Sequence, residues 1–265
     1  MIDIEKAKRY YKEYISKYNP EEPRIALKIA HIYRTAEEAK VLAEKLKLDK
    51  EDILLAEFIG LLHDIGRFEQ VKLYNTFIDK LSVNHAEYGV KVLFKDNLIR
   101  NFIDDDQYDE IIKKAILNHN RSRIDSDIIN EKELLHCKII RDADKLDIYK
   151  VILTDSLEET YPLDKYSKEP LSTECKNEFM KDKIITYSNV KTCVDLLAVQ
   201  IAFVFDINYL HSLEKINNEN YLEKIIKKFD AKDKKTIDDL NELKEIAEEY
   251  IQEKLKEGKI CLKNY

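Results

Sequence analysis

The chain has 265 residues and a formal net charge of -7, enough to bury a sizeable core in one large domain or two small ones. That charge leaves no broad basic surface and speaks against non-specific binding of duplex nucleic acid. A small phosphorylated substrate stays compatible, because a few local cations and a metal suffice to hold it. Four glycines and four prolines, far below the ~12% of average usage, together with abundant Lys, Glu, Leu and Ile, predict an all-α chain of long helices.

Cys137, Cys175, Cys193 and Cys261 are scattered without a Cys-x-x-Cys pair. With no signal-peptide pattern, this predicts reduced thiols and a cytoplasmic protein. The longest apolar stretch, Leu196 to Phe205, is interrupted by Gln200 and bounded by Asp195 and Asp206. It is about half the ~20 residues that a membrane-spanning helix needs, so no membrane association is expected.

In chain order, Ile25, Ile29, Ile32, Ala36, Ala39, Ala43 and Leu46 recur at helical spacing, with Pro23 at the start and His31 at the border of the apolar face. Asp49 is expected to cap the next helix, which runs from about Glu51 to Asp64. It is apolar on nearly every side and therefore central. His63 and Asp64 sit in its last turn, and Gly66 suits a left-handed closing residue. Glu69, Gln70, Tyr74, Thr76, Asp79 and Ser82 read as a polar connection that could line a pocket. Asn84 could cap a helix from His85 to about Phe94, with Gly89 one turn on, leaving room for something bulky.

A helix of about Glu110 to His119 ends its apolar stripe on the histidine. In a helix of about Lys132 to Leu153, Ile140, Asp144, Ile148 and Val151 share a face, and Asp147 lies beside them. Asp142 points roughly 200° away from Asp144, which selects Asp144 as the inward carboxylate. Beyond Val151 an irregular stretch with Pro162 and Pro170 is expected, then an apolar helix of about Val190 to Leu213 and two charged helices from Tyr221 onward. His136 and His211 read as structural.

A buried imidazole beside a buried carboxylate is costly unless a cation compensates, and His63-Asp64 is such a pair. With Ala30-His31-Ile32-Tyr33-Arg34, Leu62-His63-Asp64-Ile65-Gly66-Arg67-Phe68, His85-Ala86-Glu87-Tyr88-Gly89, Ile116-Leu117-Asn118-His119 and Arg141-Asp142-Ala143-Asp144-Lys145-Leu146-Asp147, the order H…HD…H…H…D resembles the HD superfamily of metal-dependent phosphohydrolases. The likeness covers about residues 25 to 150. It implies an HD-domain helical bundle over residues 20–155, and a C-terminal helical segment over 156–265 packed on that core.

The resemblance further implies that His31, His63, Asp64 and Asp144 hold one metal ion. His85 and His119, which four-ligand members lack, resemble the binuclear branch, in which Asp64 bridges two ions. Three imidazoles and a carboxylate suit Fe, Mn, Zn, Co or Ni. Arg67, Arg121, Arg123 and Lys145 lie close in sequence to ligands and are candidates for binding a substrate phosphate, Arg121 and Lys145 foremost. Asp147 is expected to orient a ligand histidine, to act as a general acid or base, or to pair with Arg34 or Arg67.

The implied activity is hydrolysis of a phosphoester or phosphoanhydride of a nucleotide or small metabolite, with a metal-bound hydroxide as nucleophile. A homodimer is compatible with it. Two alternatives stand beside it: a di-iron oxygenase with the same six ligands, and a non-catalytic nucleotide-binding regulator. The Gly-Tyr-Pro element of cyclic-di-GMP phosphodiesterases does not follow His119, and no synthetase or nucleotidyltransferase segment is present.

Overall fold

The structure is a computed structural model. It describes residues 2–155 and 170–262, with side chains up to residue 258. Among the described residues it is all-α, and the backbone divides into two units, Met1–Asp147 and Ile148–Tyr265.

The first unit contains α1 (Ile4–Ile15), α2 (Pro23–Lys45), α3 (Lys50–Leu62), α4 (Gly66–Tyr74), α5 (His85–Val90), α6 (Ile99–Phe102), α7 (Asp109–His119) and most of α8 (Glu131–Thr154). Side-chain caps set several starts. Asp49 accepts from the Asp52 amide at the head of α3, and Asn84 accepts from the Ala86 and Glu87 amides at the head of α5. These contacts satisfy amides that a helix leaves without partners.

Helix α3 is the centre of this unit. Leu55, Phe58, Ile59, Leu61 and Leu62 are all buried in one core with Ile32 of α2, Tyr11 of α1 and Ile112 and Ile116 of α7. Burying side chains of this size contributes about 1.5–3 kcal/mol each. Gly60 brings α3 directly onto α2: a Cβ there would lie 2.6 Å from Ala36 Cα. The close approach carries His63, just past the end of α3, alongside His31.

The chain after His63 departs from the expected pattern. Gly66 is not a left-handed closing residue, since no glycine has positive φ; it is the first residue of α4. A Cβ at Gly66 would meet His85 O at 2.2 Å and Gly89 N at 2.6 Å, so the glycine serves close approach to α5. The bare side of Gly89 is likewise taken up by Gly66 and Ile65, not left open for a ligand. The polar stretch from Glu69 is no mere connection either, because Glu69, Gln70 and Tyr74 lie within α4. Helix α5 is shorter than expected and continues as a π-turn over Lys91–Lys95.

In the second unit the expected helix of about Val190 to Leu213 is three pieces. These are α10 (Cys193–Ala202), a 3-10 turn at Phe203–Asp206, and α11 (Leu210–Asn218). Asn208 and the extended residues around it part the last two, just beyond the apolar run that ends at Phe205. Helix α9 (Thr173–Asp182) precedes them, and α12 (Tyr221–Phe229) and α13 (Lys234–Leu262) follow. Within this unit Tyr149 stacks on Tyr221 at 5.4 Å and donates to the Gln200 carbonyl at 2.8 Å. The irregular stretch around Pro162 lies outside the described residues, as does the boundary expected at 156. Cys137, Cys175 and Cys193 are buried. No helix among the described residues is long and apolar enough to cross a membrane.

Candidate metal centre

Six side chains from five helices and one turn converge in the first unit. His31 comes from the middle of α2, His63 from the end of α3, Asp64 from the turn after it, His85 from the first residue of α5, His119 from the last residue of α7, and Asp144 from α8. The four histidines and Asp64 are buried. Helix ends supply three of the six because a side chain there points past its own helix into the space between neighbours.

Asp64 divides the set. Its Oδ2 faces His31 Nε2 at 3.6 Å and His63 Nε2 at 3.9 Å. Asp144 Oδ1 closes that half, at 3.1 Å from His31 Nε2 and 3.6 Å from His63 Nε2. Asp64 Oδ1 faces the other pair, His85 Nε2 at 3.3 Å and His119 Nε2 at 3.7 Å.

Each ring is fixed from behind through Nδ1. His31 Nδ1 meets Asp147 Oδ2 at 2.7 Å, and Asp147 also accepts from Arg34 Nε at 2.6 Å. His63 Nδ1 lies 2.7 Å from the Gly60 carbonyl, and His119 Nδ1 lies 2.6 Å from the Ile116 carbonyl. A carbonyl only accepts, so in both rings Nδ1 carries the proton. His85 Nδ1 meets Asp79 Oδ2 at 2.7 Å. Backing of this kind sets ring tautomer and orientation for metal binding.

The donor set suits a cation. With their Nδ1 atoms turned to Asp79 and the Ile116 carbonyl, His85 and His119 bring their Nε2 atoms to 3.0 Å of each other. His31 Nε2, His63 Nε2 and Asp64 Oδ1 are buried with no hydrogen-bond partner, a costly state that a bound divalent ion would relieve. Three overlapping groups have ligand atoms mutually within 4.8 Å: His31–His63–Asp64, His63–His119–Asp144 and Asp64–His85–His119.

The electrostatics agree. Burial alone would raise the Asp64 carboxyl, but Lys28, His63, His119 and Arg67 hold it well below the usual range. Asp144 is likewise held low by His31 and His63 in spite of burial. Burial, with Arg67 adding to it, pushes His85 down to about 3, and burial lowers His63 as well. Both rings therefore offer a lone pair at neutral pH. Burial and Lys28 act to lower His31, yet Asp144 and Asp147 hold it above its ordinary value.

The remaining residues singled out in the sequence lie as follows. Asp147 is buried against His31 and Arg34. Arg67 donates through Nη1 to Gln70, the Phe77 carbonyl and Asp79, and its Nε is 3.5 Å from Asp64 Oδ1. Lys145 is buried. Arg121 pairs with Asp125 at the surface of the loop after α7, and Arg123 is exposed. Gln70 donates to Asp79 Oδ1 and to Ser82 Oγ, while Glu69 accepts from Tyr18 at 2.6 Å. Tyr74 is exposed. His136 is buried on Asp52, and His211 is exposed beside Glu214.

Lys28 was not among the sequence candidates, yet its Nζ lies 2.8 Å from Asp64 Oδ2. Its place three residues before His31, on the same side of one helix, is the signal that could have marked it. Arg141 was quoted only as part of a motif. It is fully buried and donates to the carbonyls of Asn118, Arg121 and Ser122, holding the end of α7 that carries His119.

The sequence model of the HD domain family matches residues 29–149, a span that contains all six converging side chains. These residues form an HD domain. HD domains bind divalent metal ions, and the histidines and aspartates of this one could hold such an ion. No curated protein and no solved structure gives a significant match to the chain.

Proposed function

We propose that this HD domain is a metal-dependent phosphohydrolase, acting on a phosphoester or phosphoanhydride of a nucleotide or other small phosphorylated metabolite. The observation that supports it is the division of Asp64, whose two oxygens face two separate histidine pairs. His31, His63, Asp64 and Asp144 would hold one ion; Asp64, His85 and His119 would hold a second. Bound there, divalent ions would lower the pKa of water and neutralise charge developing on a phosphoryl group.

The chain's own residues prepare that chemistry. Nδ1 contacts with Asp147, Gly60, Asp79 and Ile116 hold each ring with Nε2 inward, so little reorganisation is left for the reaction itself. Asp147 is committed to His31 and Arg34, which suits it to orienting the ring rather than to moving a proton. Arg121, whose ion pair with Asp125 is partly exposed, and Lys145, next to Asp144, are the cations we assign to the substrate phosphate, with Arg67 and Arg123 next in line.

The test is a panel of phosphomonoesters, phosphodiesters and nucleotides offered to Mn-loaded protein under argon and under air, in H₂¹⁸O. Hydrolysis that is independent of O₂ and places label in phosphate is expected. Product formation that strictly requires O₂ and iron, without label in phosphate, would replace the hydrolase with the oxygenase. No turnover on the whole panel by fully loaded protein would favour a binding role.

A further inference from the structure

Each oxygen of Asp64 has a cationic side chain beside it. Lys28 Nζ lies 2.8 Å from Oδ2, and Arg67 Nε lies 3.5 Å from Oδ1. Both cations also approach the ring of Phe77, Lys28 Nζ at 5.5 Å and the Arg67 guanidinium at 5.7 Å from its centroid. Phe77 belongs to the connection between α4 and α5. Arg24 ties the start of that connection to α2 by donating to the Asn75 carbonyl at 2.8 Å and the Asn75 side chain at 2.6 Å.

The two cations differ in freedom. Arg67 is held in place by Gln70, Asp79 and the Phe77 carbonyl. Lys28 donates to Asp64 from the end of a flexible four-carbon stem, and its side chain is 15% exposed against 3% for Asp64. It therefore reaches the carboxylate from the solvent side. The oxygen it holds is one that faces His31 and His63. A divalent ion taking that oxygen would meet an ammonium in a buried setting, where like charges repel strongly. Of the side chains around Oδ2, Lys28 is the one able to yield.

We propose that Lys28 is an exchangeable cation: it neutralises Asp64 in the metal-free protein, and once a metal ion takes Oδ2 it is released to contact the phosphoryl group of the substrate. This rests on the hydrolase reading and adds a phosphate-contacting residue to it. An ammonium displaced beside a metal site, with an apolar ring below it and solvent above, is placed to pair with an incoming anion.

The experiment uses the full chain, stripped with chelator, as wild type, Lys28→Met and Lys28→Arg. Calorimetry with Mn²⁺ alone measures metal affinity, and inorganic phosphate titrated into Mn-loaded protein measures anion affinity. Lys28→Met is expected to bind its first Mn²⁺ about tenfold more tightly, since a competing charge is gone. It should also bind phosphate at least ~10-fold more weakly, with Lys28→Arg recovering much of that affinity. Unchanged or weaker Mn²⁺ binding by Lys28→Met would show a merely structural lysine and overturn the proposal, as would unchanged phosphate affinity. Wild-type Mn-loaded protein that binds no phosphate would overturn the hydrolase reading along with it. Should Lys28→Met not fold, Lys28→Gln keeps an uncharged donor toward Asp64 and carries the same two comparisons.

Discussion

Asp79 Oδ2 lies 2.7 Å behind His85 Nδ1, while Asp79 Oδ1 accepts from Arg67 and Gln70 at 2.8 Å each. One carboxylate in a short turn thus links the orientation of the His85 ring to the cation beside Asp64. Asp79→Ala should weaken binding of a second metal ion by roughly 10- to 100-fold and leave the first little changed. A two-step Mn²⁺ titration reads both constants; equal weakening of the two would mean that Asp79 supports the fold at large.

Asp64→Asn keeps the shape of the side chain but removes the charge that both halves share. Elemental analysis should find the variant nearly free of metal under conditions that load the wild type. Retention of a full complement would refute the bridging role.

His119→Ala should leave the fold intact and lower metal content toward that of one half-site, because His31, His63 and Asp144 do not depend on it. A wild-type stoichiometry of one, measured with metal in excess, would dismiss the second ion.

Arg141→Met should lower stability by about 3 kcal/mol or more, since several carbonyls lose a charged donor in a buried place. The loosened end of α7 should also reduce metal occupancy at His119. Thermal unfolding with and without Mn²⁺ separates the two effects: a fall in stability with unchanged metal affinity would confine Arg141 to packing.

The metal-free protein should lose stability in mild acid. His85 is held at about 3 by burial and Arg67, against ~6.5 in an unfolded chain. Between those values the unfolded chain binds a proton that the native state refuses, so stability falls as pH drops below ~6.5. From pH 6.5 to 5 that one ring accounts for about 2 kcal/mol. Chelated wild type and His85→Asn, melted at both pH values, should differ in this loss; identical losses would exclude His85 as its source.

The order of the motifs, through its resemblance to a known family, named the six side chains that converge, and two places in the chain support it independently. His63-Asp64 after Leu61-Leu62 and His119 after Ile112, Ala115 and Ile116 are polar groups where burial is expected. Lys28 was not legible, and Asp79 was legible only as one of several polar residues that could line a pocket, for the opposite reason. One is a lysine on a half-exposed helical face in a chain with 45 Lys and Arg. The other sits in a three-residue 3-10 turn with no periodicity to read. Gly66 misled because a glycine after a helix usually closes it with positive φ, and only the neighbouring strand of contacts to His85 and Gly89 shows that space was the requirement. The helix expected over Val190 to Leu213 was carried past the end of its apolar run at Phe205, where Asp206 and Asn208 mark the break.

His31 and Asp147 touch across 116 positions of sequence, and His85 and His119 across 34. Of the six converging side chains only His63 and Asp64 are neighbours in sequence, so the set is assembled only on folding. A bound ion would then favour the folded state by mass action, by ~2.7 kcal/mol when free ion reaches a hundred times its dissociation constant. The lifetime of the protein in a cell would accordingly follow metal supply, with scarcity removing the protein itself and not only its activity.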